Sequence, residues 1–250
     1  MKNLPQISII VATYNSTKTI RKTLQSVLDQ NYQMWECIII DGKSSDGTVE
    51  ILEEFAKKDK RYSYVSEKDN GIYDAFNKGW KKAKGEWIYY LGSDDWLTKD
   101  GLNELASFTT SSSAIISGDV WVYQLDGRMT LRKAFDGKPN FGYHQGMIMR
   151  KDVIERMGGF NKKYKILADY DLMAKIIFNG YDMKVVQTSP IAFFRQGGTT
   201  SQIKTLYEIF KEKYEICKSY NTVKYPFLYT SYYLYRKLQS IIYRRLRQFV

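Results

Sequence analysis

Two adjacent carboxylates, Asp94 and Asp95, end the apolar run Trp87-Ile88-Tyr89-Tyr90-Leu91-Gly92-Ser93 and are followed at once by Trp96. Hard oxygen ligands at the end of a strand suit Mg²⁺ or Mn²⁺, which bind through one or two carboxylates and otherwise through substrate phosphates. That chemistry implies a substrate carrying a diphosphate. The competing use of the pair is to cap the helix that residues 99–108 predict. A second acidic group, Asp169 and Asp171 on either side of Tyr170, opens another helical pattern, where such residues serve as N-cap and first-turn acid. His144 is the one histidine. A metal-hydrolase site therefore lacks its ligands, and the imidazole is either a hydrogen-bonding residue or a ligand contact.

Strands must bring these groups to a sheet edge. Residues 6–13 form a β-branched run, the pattern of a strand buried on both faces. Residues 36–40 and 62–66 predict two more strands. Residues 19–30, 48–58 and 73–84 space their apolar positions as helices, the second introduced by the turn residues Ser44, Ser45, Asp46 and Gly47. Successive βα units imply a parallel sheet with right-handed crossovers, which binds ligands at the carboxyl ends of its strands. The fold class is thus α/β, and residues 1–98 read as a nucleotide-binding half.

Residues 99–202 are less regular. Residues 114–124 and 129–133 predict a hairpin, 146–149 a strand, 152–157 a short helix closed by Gly158-Gly159, and 169–178 an amphipathic helix stopped by Asn179-Gly180. Residues 184–187 and 191–194 predict further strands. From residue 203 the chain reads as helical, tyrosine-rich and basic, so the expectation is one catalytic domain, 1–202, with a helical extension, 203–250. In that extension Tyr229, Tyr232, Tyr233, Tyr235 and Tyr243 alternate with Arg236, Lys237, Arg244, Arg245 and Arg247. This suits an anionic membrane surface, with packing on the domain or pairing into a homo-oligomer as the other uses.

The whole chain has 250 residues, 44% hydrophobic residues, 15% aromatic residues and a net charge of +11. A folded core follows. Two cysteines, Cys37 and Cys217, suggest no disulfide framework, and neither a leader nor an apolar stretch of about 18 residues is visible, so a cytoplasmic setting is expected. The charge fits nucleic acid, an anionic membrane or phosphorylated substrates. Nucleic acid is set aside because no helix-turn-helix, zinc or ribonucleoprotein signature appears and the carboxylate clusters would go unexplained.

Five motifs in order, ISIIVATYNS, IIIDGKSSDGT, SEKDNGIYDAFNKGWKKAKGEWIYYLGSDDW, HQGMIMR and GGFNKKYKILADYDLMAKI, resemble the family 2 glycosyltransferases of the GT-A fold over roughly residues 5–200. The likeness is strongest to the branch that builds bacterial O-antigen, capsule and exopolysaccharide. It implies a Rossmann-like nucleotide-sugar fold with a mostly parallel central sheet. It also implies inverting transfer from a nucleotide-sugar, UDP-linked by preference, to a glycan or polyprenyl-diphosphate-linked acceptor at the inner face of the cytoplasmic membrane. A scaffold that keeps the fold without turnover is the alternative.

By this resemblance Thr13, Tyr14 and Asn15 hold the base and ribose, where stacking on Tyr14 contributes about 1–3 kcal/mol. Asp41 contacts the nucleoside, although Gly42 stands where relatives have a second carboxylate. Asp69 lies over the nucleotide, and Asn77 is structural. Asp95 is the metal ligand, with Asp94 beside the ribose or behind the ion, and Gly92 again replaces a carboxylate. Asp169 is the general base of the transfer, with Ala168 where relatives have glutamate. His144 and Gln145 line the acceptor or sugar side, and Arg195 with Gly197, Gly198 and Thr199 closes over the diphosphate.

Overall fold

The computed structural model of the chain describes residues 7–110, 112–124, 126–135, 141–197 and 203–246. Its first half runs β1 (Ile7–Thr13), α1 (Ile20–Leu28), β2 (Trp35–Asp41), α2 (Thr48–Lys58), β3 (Tyr62–Ser66), α3 (Ile72–Lys82) and β4 (Trp87–Gly92). β1 is buried along its whole length, and its alternate residues feed two cores. Ile10 and Ala12 pack with Phe76 and Trp80, whereas Ile9 and Val11 pack with Leu24, Leu52 and Phe55. This two-sided burial is why the strand reads as unbroken apolar sequence. Helix α3 lies so close to β1 that a Cβ on Gly79 would stand 2.2 Å from Ile10 Cγ2.

β1 pairs in parallel with both β2 and β4, and β2 with β3. The register sets Thr13 opposite Asp41 and Ala12 opposite Gly92. Three strands therefore end side by side, and the loops that follow them form one face.

The second half runs β5 (Trp96–Leu97), α4 (Gly101–Ala106), β6 (Ile115–Ser117), β7 (Val120–Tyr123), β8 (Met129–Arg132), a 3-10 turn (His144–Gly146), β9 (Met147–Arg150), α5 (Lys151–Met157), α6 (Ala168–Phe178), β10 (Met183–Val185), β11 (Ala192–Arg195), α7 (Leu206–Ser219) and α8 (Pro226–Leu246). The main sheet has the order β10-β6-β9-β4-β1-β2-β3, and a smaller one the order β5-β11-β7-β8. In the main sheet β9 runs against both its neighbours, β4 and β6.

The expected continuous strand over 114–124 is corrected. It divides at Gly118 and Asp119, so that β6 joins the main sheet while β7 pairs with β8 and β11 in the smaller one. A Cβ on Gly118 would meet Ile191 Cγ1 at 2.7 Å. Asp119 turns aside to accept from the Ala134 amide at 2.8 Å and Lys133 Nζ at 2.7 Å. The expected hairpin survives as β7 and β8. The two-residue strand β5, absent from the sequence reading, forms because Trp96 and Leu97 pair with Phe193 and Ala192.

The terminal helices are not detached from this body. Ile216 joins the core on the α3 side of the sheet, Cys217 is buried, and Tyr220 stacks on Phe178 of α6 at 6.1 Å. Phe227 of α8 meets Phe210 and Tyr214 of α7 edge-on. The expected boundary at 202/203 falls outside the described residues, as do Gly198, Thr199 and Arg247 and the side chains of Tyr243, Arg244 and Arg245. No helix among the described residues is long and apolar enough to cross a membrane.

Candidate active site

The ends of β1, β2 and β4 supply the first set of groups. Thr13 is buried, and its Oγ1 has no hydrogen-bond partner among the described residues. Tyr14 is 64% exposed, a ring face open to solvent. Asn15 takes a left-handed conformation (φ 47°). Its amide donates to Ser44 Oγ at 2.8 Å and its Oδ1 accepts from the Ser45 amide at 3.0 Å. Asn15 thus ties the loop after β1 to the loop after β2.

Asp41 is fully buried. Its carboxylate accepts from the Ser44 amide (2.9 Å), the Ser66 hydroxyl (2.6 Å) and the Ser44 hydroxyl. It braces this loop, a role the sequence did not suggest. Gly42 is explained by its neighbours: a Cβ there would stand 2.9 Å from Asp69 Oδ2 and 3.3 Å from the Tyr14 ring. A carboxylate at position 42 would displace either group, so Tyr14, Gly42 and Asp69 form one shallow cradle. Asp69 is itself fixed by the Gly71 amide, which donates to Oδ1 at 2.9 Å.

After β4 the carboxylates part company. Asp95 is 2% exposed. The Arg195 backbone amide donates to its Oδ1 at 2.8 Å and Gln145 Nε2 to its Oδ2 at 3.1 Å. Burial, and after it the charge of Asp94, push Asp95 up to about 7. Asp94 is only partly buried and lies close enough to the Arg195 guanidinium to be influenced by its charge, although burial still raises it. One oxygen of each carboxylate lies close to Gly92, where a Cβ would meet Asp95 Oδ2 at 2.9 Å and Asp94 Oδ1 at 3.3 Å, so a side chain there would push against both. Helix α1 and the loop before it secure the turn, since Thr23 Oγ1 of the helix donates to Ser93 O or Asp95 O and Ser16 Oγ of the loop lies 2.8 Å from Ser93 Oγ. Lys22 of the same helix lies 3.1 Å from the centre of the Trp96 ring and feels the charge of Arg195. This cationic rim was missed in the sequence, where Lys22 reads as one of many surface lysines.

Asp169 lies in the first turn of α6 and is joined to His144, whose Nδ1 is 2.8 Å from Oδ2. The Tyr170 amide donates to Oδ1 at 2.8 Å, and the Tyr73 hydroxyl divides its one proton between Oδ1 (3.0 Å) and the Ile166 carbonyl (2.7 Å). Burial alone would raise Asp169 and lower His144. Their mutual hydrogen bond and opposite charges prevail in both, so the carboxyl is held low and the imidazole high. Tyr73 is a further residue that sequence reasoning missed, because on α3 it reads as one more core aromatic.

The dipeptide His144-Gln145 thus reaches two acids 74 residues apart in sequence, Asp169 through the imidazole and Asp95 through the amide. The 3-10 turn that carries it can sit there because Gly146 has no side chain: a Cβ would meet Gly118 O at 2.5 Å. Arg195 reaches the site by its backbone, while its side chain remains exposed. Asn77 is structural, accepting from the Phe160 amide and Trp80 Nε1, both at 2.9 Å. Among the described residues no group of three or more His, Cys, Asp or Glu side chains is arranged to hold a metal ion. Asp94 and Asp95 are adjacent carboxylates with an oxygen each beside Gly92, a donor set that suits a divalent ion whose other ligands come from a bound diphosphate.

The family model for glycosyl transferase family 2 matches residues 8–167. A PGL/p-HBAD biosynthesis glycosyltransferase of Mycobacterium bovis is 32% identical over 184 residues, 70% of this chain and 71% of the relative. TuaG of Bacillus subtilis, whose name proposes a teichuronic acid biosynthesis glycosyltransferase, is 39% identical over 114 residues, 45% of each chain. Among solved structures, S. aureus TarS 1–349 in complex with UDP-GlcNAc aligns with TM-score 0.71 at 20% identity, covering 93% of this chain and 71% of that one. The mannosyltransferase PcManGT from Pyrobaculum calidifontis, in complex with GDP-Man and Mn²⁺, aligns at 0.69 and 19%, covering 93% and 70%. The chain spans 41% of a longer TarS structure.

Proposed function

Because the chain belongs to glycosyl transferase family 2 and has the GT-A fold, we propose that this glycosyltransferase moves a sugar from a UDP-sugar to a hydroxyl of a surface-glycan acceptor, with inversion. The observation that carries the reading is the pairing of Asp95 and Asp169 through Gln145 and His144. In this reading one acid belongs to the diphosphate side and the other to the acceptor side, and the 3-10 turn bridges them by one hydrogen bond to each. In this reading Tyr14 stacks on the base, Thr13, Asn15, Asp41 and Asp69 shape the nucleoside cradle, and Arg195 and Lys22 face the diphosphate. Asp94 and Asp95 together would hold Mg²⁺ or Mn²⁺, whose positive charge would offset the negative charge on the leaving diphosphate. Asp94 presents the more open carboxylate. Asp95 is the expected direct ligand, and the hydrogen bonds that each of its oxygens accepts orient it while leaving a lone pair on each.

In the transfer Asp169 takes the proton of the acceptor hydroxyl while that oxygen bonds to the anomeric carbon from the side opposite the diphosphate. The bond from sugar to diphosphate breaks, and its electron pair leaves with the nucleoside diphosphate. His144 holds Asp169 in the orientation this requires. A glycan or a polyprenyl-diphosphate-linked chain is the acceptor class, used at the inner face of the cytoplasmic membrane.

Calorimetric titration of UDP, GDP and CDP, with and without Mn²⁺, tests the donor side. UDP should bind best, and Asp94→Asn and Asp95→Asn should each abolish the gain from Mn²⁺. UDP binding equally well without the ion and in both variants would overturn the metal assignment. Binding with no turnover of any UDP-sugar would favour the silent scaffold.

A further inference from the structure

We propose that Glu212 and Lys213, adjacent on α7, are positioning residues for Asp169, gripping the start of α6 from its two sides. The inference deepens the transfer reaction proposed above and rests on it. Both residues lie outside the stretch that matches the family, residues 8–167, and both are 5% exposed. Charged side chains are almost never so buried unless something holds them. The Glu212 carboxylate accepts from three consecutive backbone amides, Lys165 at 2.7 Å, Ile166 at 3.1 Å and Leu167 at 2.8 Å.

Those residues lead directly into α6, whose N-cap, Leu167, has no side chain able to cap it. Glu212 therefore supplies from another helix an anionic acceptor for the segment entering α6, up to its N-cap amide, close to the positive end of the helix. The same loop offers the Ile166 carbonyl to Tyr73, whose hydroxyl also reaches Asp169. On the other side of Asp169, Lys213 Nζ lies 3.2 Å from the centre of the Tyr170 ring and within 6 Å of Tyr229 and Tyr233 of α8. Further along α7, Cys217 meets the Tyr170 hydroxyl at 3.9 Å, and just past the helix the hydroxyl of its C-cap, Tyr220, donates to Asp171 at 3.2 Å. Residues 212, 213 and 217 of α7, with its C-cap residue 220, thus contact residues 165–167, 170 and 171. A displacement of about 1 Å in a reacting group can cost a hundredfold in rate, so this grip bears on the proton acceptor as well as on folding.

His144, the one histidine, reports on Asp169 directly, so nuclear magnetic resonance of its imidazole reads the grip whether or not a substrate is known. In Glu212→Gln the amide oxygen replaces one carboxylate oxygen, while its NH₂ group faces a backbone amide that loses its acceptor. The His144 titration should fall by about half a unit or more from its wild-type position above 6.5. Turnover should fall about tenfold or more, with UDP affinity unchanged because the nucleoside cradle is untouched. Glu212→Ala should do the same to a greater extent. If that variant fails to fold, Glu212→Gln carries the test alone. A folded Glu212→Gln protein with the wild-type His144 titration would overturn the proposal. An altered titration in a protein whose wild type turns over no donor would leave the grip standing and sink the transfer reaction instead.

Discussion

Asp169 works as one half of a pair. While His144 keeps its proton, its charge and hydrogen bond hold the Asp169 carboxyl low, and a carboxylate held low is a weak base. When the imidazole loses that proton, the basicity of Asp169 rises. The turnover of the wild type should therefore climb with pH along a limb centred above 6.5, the ordinary histidine value. In His144→Gln the limb should move to lower pH and the plateau fall by about tenfold; a pH–rate profile unchanged by the substitution would exclude the coupling. Stability follows the same pair. A raised imidazole contributes below pH 6.5 and ceases to do so as pH rises through its folded value, and the lowered carboxyl contributes above its unfolded value near 3.8. Unfolding monitored against pH should show the His144 contribution vanish on the alkaline side. At this scale the positions of Asp94, Asp95 and Asp169 were legible because they end a strand or open a helix, whereas His144 and Gln145 were picked out only by the order of the motifs that resemble the family. Tyr73, Lys22 and Glu212 were not. Each lies on a helix whose spacing explains it as core or surface, and its partners are far away along the chain.

The elements of the first half were legible almost residue for residue, since strands buried on both faces and amphipathic helices leave strong periodic signals. Residues 114–124 were not, because the break at Gly118 answers to the side chain of Ile191, which no local pattern reveals. Helix α7 was legible as a helix, whereas its buried face was not. Lys213 makes that face measurable. Burial pushes its ammonium down to about 7 from 10.5. Between these values the unfolded chain holds more protons than the folded one, so this residue makes stability rise with pH. The penalty below pH 7 is worth about 1.4 kcal/mol for each unit of displacement, and the tyrosine faces return a part of it. Lys213→Met, which keeps the apolar stem, should raise the melting temperature at pH 6 and lose most of that advantage by pH 10. A melting-temperature difference that stays constant over this range would show that the buried ammonium carries no such cost.

For the molecule as a whole the unmatched surface is that of α8. Leu228, Tyr232, Tyr235 and Ile242 are exposed along it at spacings of one or two turns, next to exposed Arg236, on a chain of net charge +11. Apolar and aromatic residues beside cations suit the headgroup region of an anionic bilayer. Vesicles containing anionic lipid should sediment the protein, neutral vesicles should not, and Tyr232→Ser with Tyr235→Ser should release it. If anionic vesicles fail and the wild type forms a dimer that the double variant loses, the stripe pairs two copies instead. The grip of α7 on α6 has a consequence for exchanging parts between relatives. A chimera joined between α6 and α7 would inherit a complete set of acids and a complete tail, yet its Glu212 equivalent would face a loop it did not evolve with. The heritable unit runs from α6 through α7 into α8, because Lys213 also lies against Tyr229 and Tyr233 and Phe227 packs on Phe210 and Tyr214.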